Sequence, residues 1–186
     1  SITFFLILYC VLVTSKYHLR INEERKFHEL NQANFSKSIP ATEIDSKLKG
    51  LKWITPPFKD NVEEEINFIK DLKSQIQTDK RKKMVITHYS FISSILDENF
   101  FSPSMAYTSD GSIIPLKNNK YSQKYKNLVI NLIKKNNVDV IYIVYPVHKG
   151  SIADYLDKSC LKEKLILKGV ISYEIKRCKD LIGKNN

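Results

Sequence analysis

The spacing of apolar residues predicts two amphipathic helices in the middle of the chain. Between residues 60 and 78 the apolar positions recur every three or four residues, which places them on one face of a helix: Val62, Ile66, Ile69, Leu72 and Ile76. Asp60 and Glu63 fit a capping box at the start of this helix. The same spacing predicts a second helix over residues 121–137, which the pair Asn136-Asn137 would end.

Short apolar stretches predict strands on either side of these helices. They are residues 51–55, 84–87, 138–145 and 165–175. Residues 138–145 are apolar at almost every position, as in a strand that is buried on both faces of a parallel sheet. Because strands alternate with helices, the sequence predicts a small Rossmann-like layered α/β domain with a mostly parallel sheet.

The start of the chain is apolar and carries no charged residue before Lys16. A complete membrane span needs about 20 apolar residues, so we expect the end of a transmembrane helix that begins upstream of Ser1. A signal peptide and a buried core helix are the alternatives, although no basic segment or small-residue cleavage site is visible. The expected organisation is a transmembrane helix end with its extension (1–30), a linker (31–50), an extramembrane α/β domain (51–180) and a tail (181–186).

The charge of the chain raises the hypothesis of nucleic-acid binding, because the formal net charge is +10. The basic residues are 26 Lys and only 4 Arg. Arg is the side chain that phosphate and base recognition favours. We therefore do not expect nucleic acid as a partner, and we expect membrane lipid, whose anionic surface attracts basic segments.

Polar side chains at the ends of two predicted strands form a candidate ligand-binding site. His88 and Tyr89 follow one strand, Tyr145 and His148 lie at the end of another, and Asp110 lies in a long loop. In open α/β sheets, ligands bind beyond the carboxyl ends of the strands. The alternative is that these are ordinary strand-end residues. The chain has no P-loop, G-x-G-x-x-G, G-x-S-x-G or H-E-x-x-H motif, so the motifs predict no catalytic residue, cofactor or metal site.

Two cysteines flank the last predicted strand. Cys160 precedes it and Cys178 follows it, so a disulfide between them would tie the end of the chain to the domain. Disulfides persist in oxidising compartments. The alternative is a pair of free thiols in a cytosolic domain. No C-x-x-C or paired His accompanies them, so we do not expect zinc.

Two short motifs resemble a group of membrane enzymes. An apolar helix runs into residues 20–30 (RINEERKFHEL) and is followed by residues 50–55 (GLKWIT). This combination resembles the tail of bacterial type C membrane glycosyltransferases, the dolichyl-phosphate-mannose mannosyltransferase-like group. The resemblance implies an integral membrane protein with a periplasmic α/β domain, a lipid-phosphate-linked sugar as donor and a glycan or cell-envelope acceptor.

The resemblance also bears on where catalysis takes place. It implies a catalytic acid in an early extracytoplasmic loop, upstream of Ser1. The domain of this chain would then be accessory or acceptor-binding, with no catalytic residue of its own. The alternative is a non-enzymatic, membrane-anchored binding or interaction module.

Overall fold

The computed structural model describes residues 2–20, 35–54, 61–105, 107, 114–115, 118–145, 147 and 155–176. The chain divides into two compact units, Ser1–Lys70 and Asp71–Asn186. The division falls within one long helix, and each unit is described by itself.

The first helix, α1 (Ile2–His18), exposes apolar side chains around its whole circumference. Phe4 is 63% exposed and Phe5 is 68% exposed, and none of the 17 residues of α1 is buried. A helix that is apolar all round, rather than along one stripe, is typical of a helix enclosed by other apolar groups. In the part of the chain that the structure describes, no helix is both long enough and apolar enough to cross a membrane.

The rest of the first unit is built from short elements. Strands β1 (Ile39–Pro40) and β2 (Lys52–Trp53) pair antiparallel, and 3-10 helices at Ala41–Glu43 and Ser46–Leu48 connect them. The indole N–H of Trp53 donates to Oε2 of Glu65 at 2.8 Å. Because Glu65 is only 2% exposed, this bond supplies a partner for a buried carboxylate.

Helix α2 (Val62–Thr78) has the apolar face that the sequence predicts, and Asn61 forms hydrogen bonds with its first turn. The side-chain oxygen of Asn61 accepts from the backbone N–H of Glu64 at 3.2 Å, and the Asn61 amide donates to the Glu64 carboxylate at 3.1 Å. The first of these bonds satisfies one backbone N–H of the first turn, and the second joins the two side chains. Asp60 lies outside the described residues, so the predicted capping box of Asp60 and Glu63 stays a prediction.

The second unit contains a sheet of four strands in the order β3-β4-β6-β5. Its elements are β3 (Lys83–Ile86), α3 (Ile92–Leu96), α4 (Ser122–Asn136), β4 (Val140–Val144), β5 (Leu161–Leu167) and β6 (Val170–Ile175). Strands β3 and β4 are parallel, whereas β4 pairs antiparallel with β6, and β6 pairs antiparallel with β5.

The prediction of a mostly parallel, Rossmann-like sheet is therefore wrong, because the sheet is mixed and has one parallel pair. The reason lies in residues 165–175, whose pattern predicts a single strand. Lys168 and Gly169 instead form a two-residue turn between β5 and β6, and Gly169 has φ +90°. Glycine adopts this conformation without steric cost, so the chain reverses there and forms a hairpin.

The core of the second unit lies between α4 and one face of the sheet. Alternate β4 residues, Ile141 and Ile143, pack with Val129, Ile130 and Ile133 of α4. All five β4 residues are buried, as the sequence predicts for a strand covered on both faces. Helix α4 ends where the sequence predicts, because Asn137 adopts the left-handed conformation (φ 51°, ψ 53°) of a helix C-cap.

Candidate functional site

A cleft of about 390 Å³ opens beside the end of β3 in the second unit. All of its lining comes from one continuous part of the chain, residues 85–105, which runs along β3, through α3 and back past the strand. Its polar lining includes six aliphatic hydroxyl groups and one amide: Thr87, Ser90, Ser93, Ser94, Ser102, Ser104 and Asn99. Tyr89, Phe91 and Phe100 supply aromatic surface.

Local hydrogen bonds determine how the chain turns at the end of β3. The Thr87 hydroxyl accepts from the backbone N–H of Tyr89 at 3.0 Å, as in the turns that Ser and Thr favour. Helix α3 ends at Asp97, which is left-handed with φ 51°, and Phe101 is also left-handed with φ 49°. Left-handed backbone is costly for an aromatic residue, and such strain is often found around binding sites.

The return segment is bound to the outer edge of β3 by a serine. The backbone N–H of Val85 donates to the Ser102 hydroxyl at 3.2 Å, and that hydroxyl donates to the Val85 carbonyl at 2.6 Å. Since β3 is at the edge of the sheet, no strand among the described residues pairs with these backbone groups on that side. The Ser102 side chain takes the place of a strand there and fixes one wall of the cleft.

An ion pair ties the same segment to the start of β3. The Lys83 ammonium contacts the Glu98 carboxylate, and the Lys83 side chain is 1% exposed whereas that of Glu98 is 34% exposed. An ammonium removed from water needs such a partner. The pair and Ser102 together hold residues 98–102 in one position against β3.

The lining of the cleft is neutral. Among the described residues that line it there is no Asp, Glu, Lys, Arg or His. Apart from the Tyr89 phenol, this described lining has no side chain that could act as a general acid or base, and it has no cation for a phosphate or carboxylate. The described part of the chain also contains no cluster of three or more His, Cys, Asp or Glu side chains that could hold a metal ion.

The structure brings two of the five predicted ligand-binding residues together. The rings of His88 and Tyr89 lie with their centroids 3.7 Å apart, and Tyr89 lines the cleft. Tyr145 is 52% exposed and does not line the cleft. Asp110 and His148 lie outside the described residues, so the predicted five-residue site stays a prediction.

His88 is held neutral by its surroundings. Burial lowers the pKa of its imidazole from 6.5 to about 4, because the charged form would lose its hydration. Its Nδ1 atom is buried and has no hydrogen-bond partner within the described structure. The Tyr89 ring packs against the His88 ring, and His88 is not part of the lining.

A second polar network lies where α2 leads into β3. The Asp79 carboxylate accepts from the Arg81 guanidinium at 2.8 Å and from the Tyr142 hydroxyl at 2.6 Å. Burial alone would raise the pKa of Asp79, but these hydrogen bonds outweigh it and lower the pKa to about 2. Arg81 also contacts Glu174 at 3.1 Å, so the network links the strand ends rather than forming a cleft.

The two cysteines of the predicted disulfide are described unequally. Cys160 is buried, with 1% exposure, and is disulfide-bonded. Cys178 lies outside the described residues, so the pairing of Cys160 with Cys178 stays a prediction. Cys10 on α1 is a free, exposed thiol.

Sequence reasoning missed most of the cleft, although a signal was present. Five Ser residues occur between positions 90 and 104, interleaved with Phe91, Phe100 and Phe101. Single Ser residues carry little information, and only the fold shows that these hydroxyls share one concave surface.

No known protein family, no curated protein and no solved structure matches the chain.

Proposed function

We propose that this chain is the membrane-bound, extracytoplasmic tail of a glycosyltransferase that uses a lipid-phosphate-linked sugar as donor. The observation that carries this proposal is helix α1, whose apolar side chains are exposed on every side. At 1.5 Å per residue a helix of 17 residues is roughly 25 Å long. That is most of the roughly 30 Å thickness of the bilayer hydrocarbon, so a lipid environment would cover α1.

The cysteine chemistry supports the sidedness. Cys160 is disulfide-bonded, and disulfides persist outside the cytoplasm, where thiols are not kept reduced. The net charge of +10 is compatible with a domain that rests near anionic lipid.

The neutral cleft supports an accessory role for the domain. A cleft whose described lining has hydroxyls and aromatic rings but no carboxylate, imidazole or amine is better suited to binding a ligand than to proton transfer. The catalytic acid then belongs to another part of the full-length enzyme, and the domain binds or positions the acceptor. The same neutral lining would also suit a non-enzymatic, membrane-anchored binding module, which is the second candidate function.

A transfer assay separates the two candidates. Membranes that contain the full-length protein are supplied with a radiolabelled polyprenyl-phosphate sugar, and label that leaves the lipid for an acceptor is counted. The glycosyltransferase proposal expects transfer by the full-length protein and none by this chain alone. Absence of transfer from every lipid-linked sugar tested would favour the binding module, and transfer by this chain alone would contradict the accessory role.

A further inference from the structure

The chemistry of the cleft restricts the ligand it can hold. A charged group that enters loses hydration and finds no opposite charge on the described lining, so anions and cations are disfavoured. A hydroxyl side chain both donates and accepts, and a ligand with many hydroxyls can do the same. The volume of about 390 Å³ lies within the usual range for small-molecule sites, which begins near 300 Å³.

Ser90, Ser93 and Asn99 keep hydrogen-bonding capacity for a ligand. The Ser93 hydroxyl donates to the Ser90 carbonyl at 3.1 Å, which leaves its own lone pairs as acceptors. Ser90 and Ser94 are exposed at the surface of the cleft. Asn99 uses its side-chain oxygen to accept from Phe101 at 3.0 Å, so its amide N–H groups remain for other acceptors.

The aromatic residues add an apolar surface beside these hydroxyls. Phe91 is partly exposed in the cleft, and its ring packs edge-on against that of Tyr89, with centroids 6.1 Å apart. Tyr89 is buried and held at the end of β3, so Phe91 rests on a fixed support. A ligand that presents C–H groups on one face and hydroxyls at its edge would use both parts of the lining.

One wall of the cleft is tied to the sheet, which lowers the entropic cost of binding. Ser102 is bonded to both backbone groups of Val85, and Glu98 is paired with buried Lys83. These contacts fix residues 98–102, which form one wall of the cleft, before any ligand arrives.

We infer that the cleft beside β3 binds a sugar ring of a neutral glycan, which stacks on Phe91 while its hydroxyls bond to the surrounding serines. The assignment of this glycan as the acceptor of the transferase rests on the proposed function, whereas the binding of a sugar to the cleft does not. An uncharged pyranose combines the apolar face and the hydroxyl edge that the lining offers. Phosphorylated or carboxylated sugars would bring a charge that the lining does not neutralise.

Saturation-transfer NMR on the full chain tests this inference. The chain is held in a detergent without a sugar headgroup, so that the detergent does not compete for the cleft. Methyl glucoside, methyl mannoside and N-acetylglucosamine are the neutral probes, and inorganic phosphate and glucuronate are the anionic ones. Irradiation of aromatic protons should transfer signal to the ring C–H protons of at least one neutral probe, with millimolar affinity, and to neither anion.

Paired variants locate the binding. Phe91→Ala should weaken it about fivefold to tenfold, the size expected for loss of one aromatic contact. Its control, Tyr121→Ala, removes an exposed aromatic residue outside the cleft and should leave binding unchanged. Ser94→Trp should fill the cleft and abolish binding, whereas Ser74→Trp, at an exposed position on α2, should not. Ser94→Trp decides the question if Phe91→Ala fails to fold.

The outcomes separate this inference from the proposed function. No transfer to any neutral probe, stronger binding of an anion, or equal binding by Ser94→Trp and Ser74→Trp would overturn the inference. Each of these results leaves the transferase assay unaffected. Sugar binding to this chain without transfer by the full-length protein would support the inference and remove the acceptor assignment.

Discussion

The buried ion pair of the second unit offers the sharpest test of how the cleft is held. Lys83 lies on β3 with its ammonium removed from water, and Glu98 is its carboxylate partner. Glu98→Gln keeps the shape of the side chain and removes its charge. The Lys83 ammonium then remains buried with only a neutral amide oxygen to accept from it.

The expected cost follows from the exposure of the two partners. Removing one partner of a buried ion pair costs about 3–5 kcal/mol, because the other charge stays buried and uncompensated. Glu98 is 34% exposed, so water can approach and relieve part of that cost. We therefore expect Glu98→Gln to lower the free energy of unfolding by about 2–4 kcal/mol.

A surface pair in the first unit is the matched control. Lys70 and Glu43 are 3.2 Å apart, and their side chains are 41% and 57% exposed. Both charges are already hydrated, so Glu43→Gln should cost no more than about 1 kcal/mol. The two variants make the same chemical change and differ in burial.

Hydrogen exchange in the full chain, read by mass spectrometry, measures each unit through its own peptides. The slowest amides of residues 83–86 report the second unit, and those of residues 41–53 report the first. Adding Lys83→Met to Glu98→Gln should recover most of the loss, since the buried charge is then gone. A loss of stability in the second unit from Glu98→Gln that is no larger than the loss in the first unit from Glu43→Gln would refute this explanation.

Three further predictions concern the second unit. Ser102→Ala removes both bonds to the outer edge of β3, so it should cost about 1–3 kcal/mol and speed amide exchange at Val85; unchanged exchange there would contradict it. Because the pKa of Asp79 is lowered to about 2, the stability that its ionised carboxylate adds to the fold is present above about pH 4. This stability is lost as the pH falls towards 2. Urea midpoints should therefore show that Asp79→Asn costs about 2 kcal/mol near neutral pH and almost nothing near pH 2, and a constant difference would count against the network. Gly169→Ala should cost about 1–2 kcal/mol in the same assay, since φ is +90°, and no loss would contradict the turn assignment.

Local patterns in the sequence were enough for the main helices and the central strands. Helices α2 and α4 follow from apolar spacing, and β4 follows from an uninterrupted apolar run. These features depend on residues that are neighbours in the chain. The hydrogen bonds of Asn61 with the first turn of α2 were not predicted, because Asp60 is an equally good capping residue by type.

The direction of the last strands could not be read from spacing. In residues 161–175, apolar and polar side chains alternate in a pattern that suits either one long strand or two short ones. The backbone conformation of Gly169 decides between these two possibilities. Once the chain turns there, β6 must run antiparallel to β5, and the sheet becomes mixed.

The candidate site was harder to predict than the fold. Tyr89 was identified because it follows a strand, but the serines were not, since hydroxyl side chains are common in loops. Their significance depends on Ser102 returning to the edge of β3, 17 residues after Val85. Such a contact depends on tertiary structure, so no local pattern indicates it.

The sidedness of the α/β domain is the most direct test of the proposed function. Ser74→Cys places a thiol at an exposed position on α2, and a membrane-impermeant maleimide is applied to spheroplasts that express the full-length protein. The parent protein without this substitution gives the background. An extracytoplasmic domain should be labelled at Ser74→Cys in intact spheroplasts, and labelling only after the membrane is permeabilised would contradict the proposal.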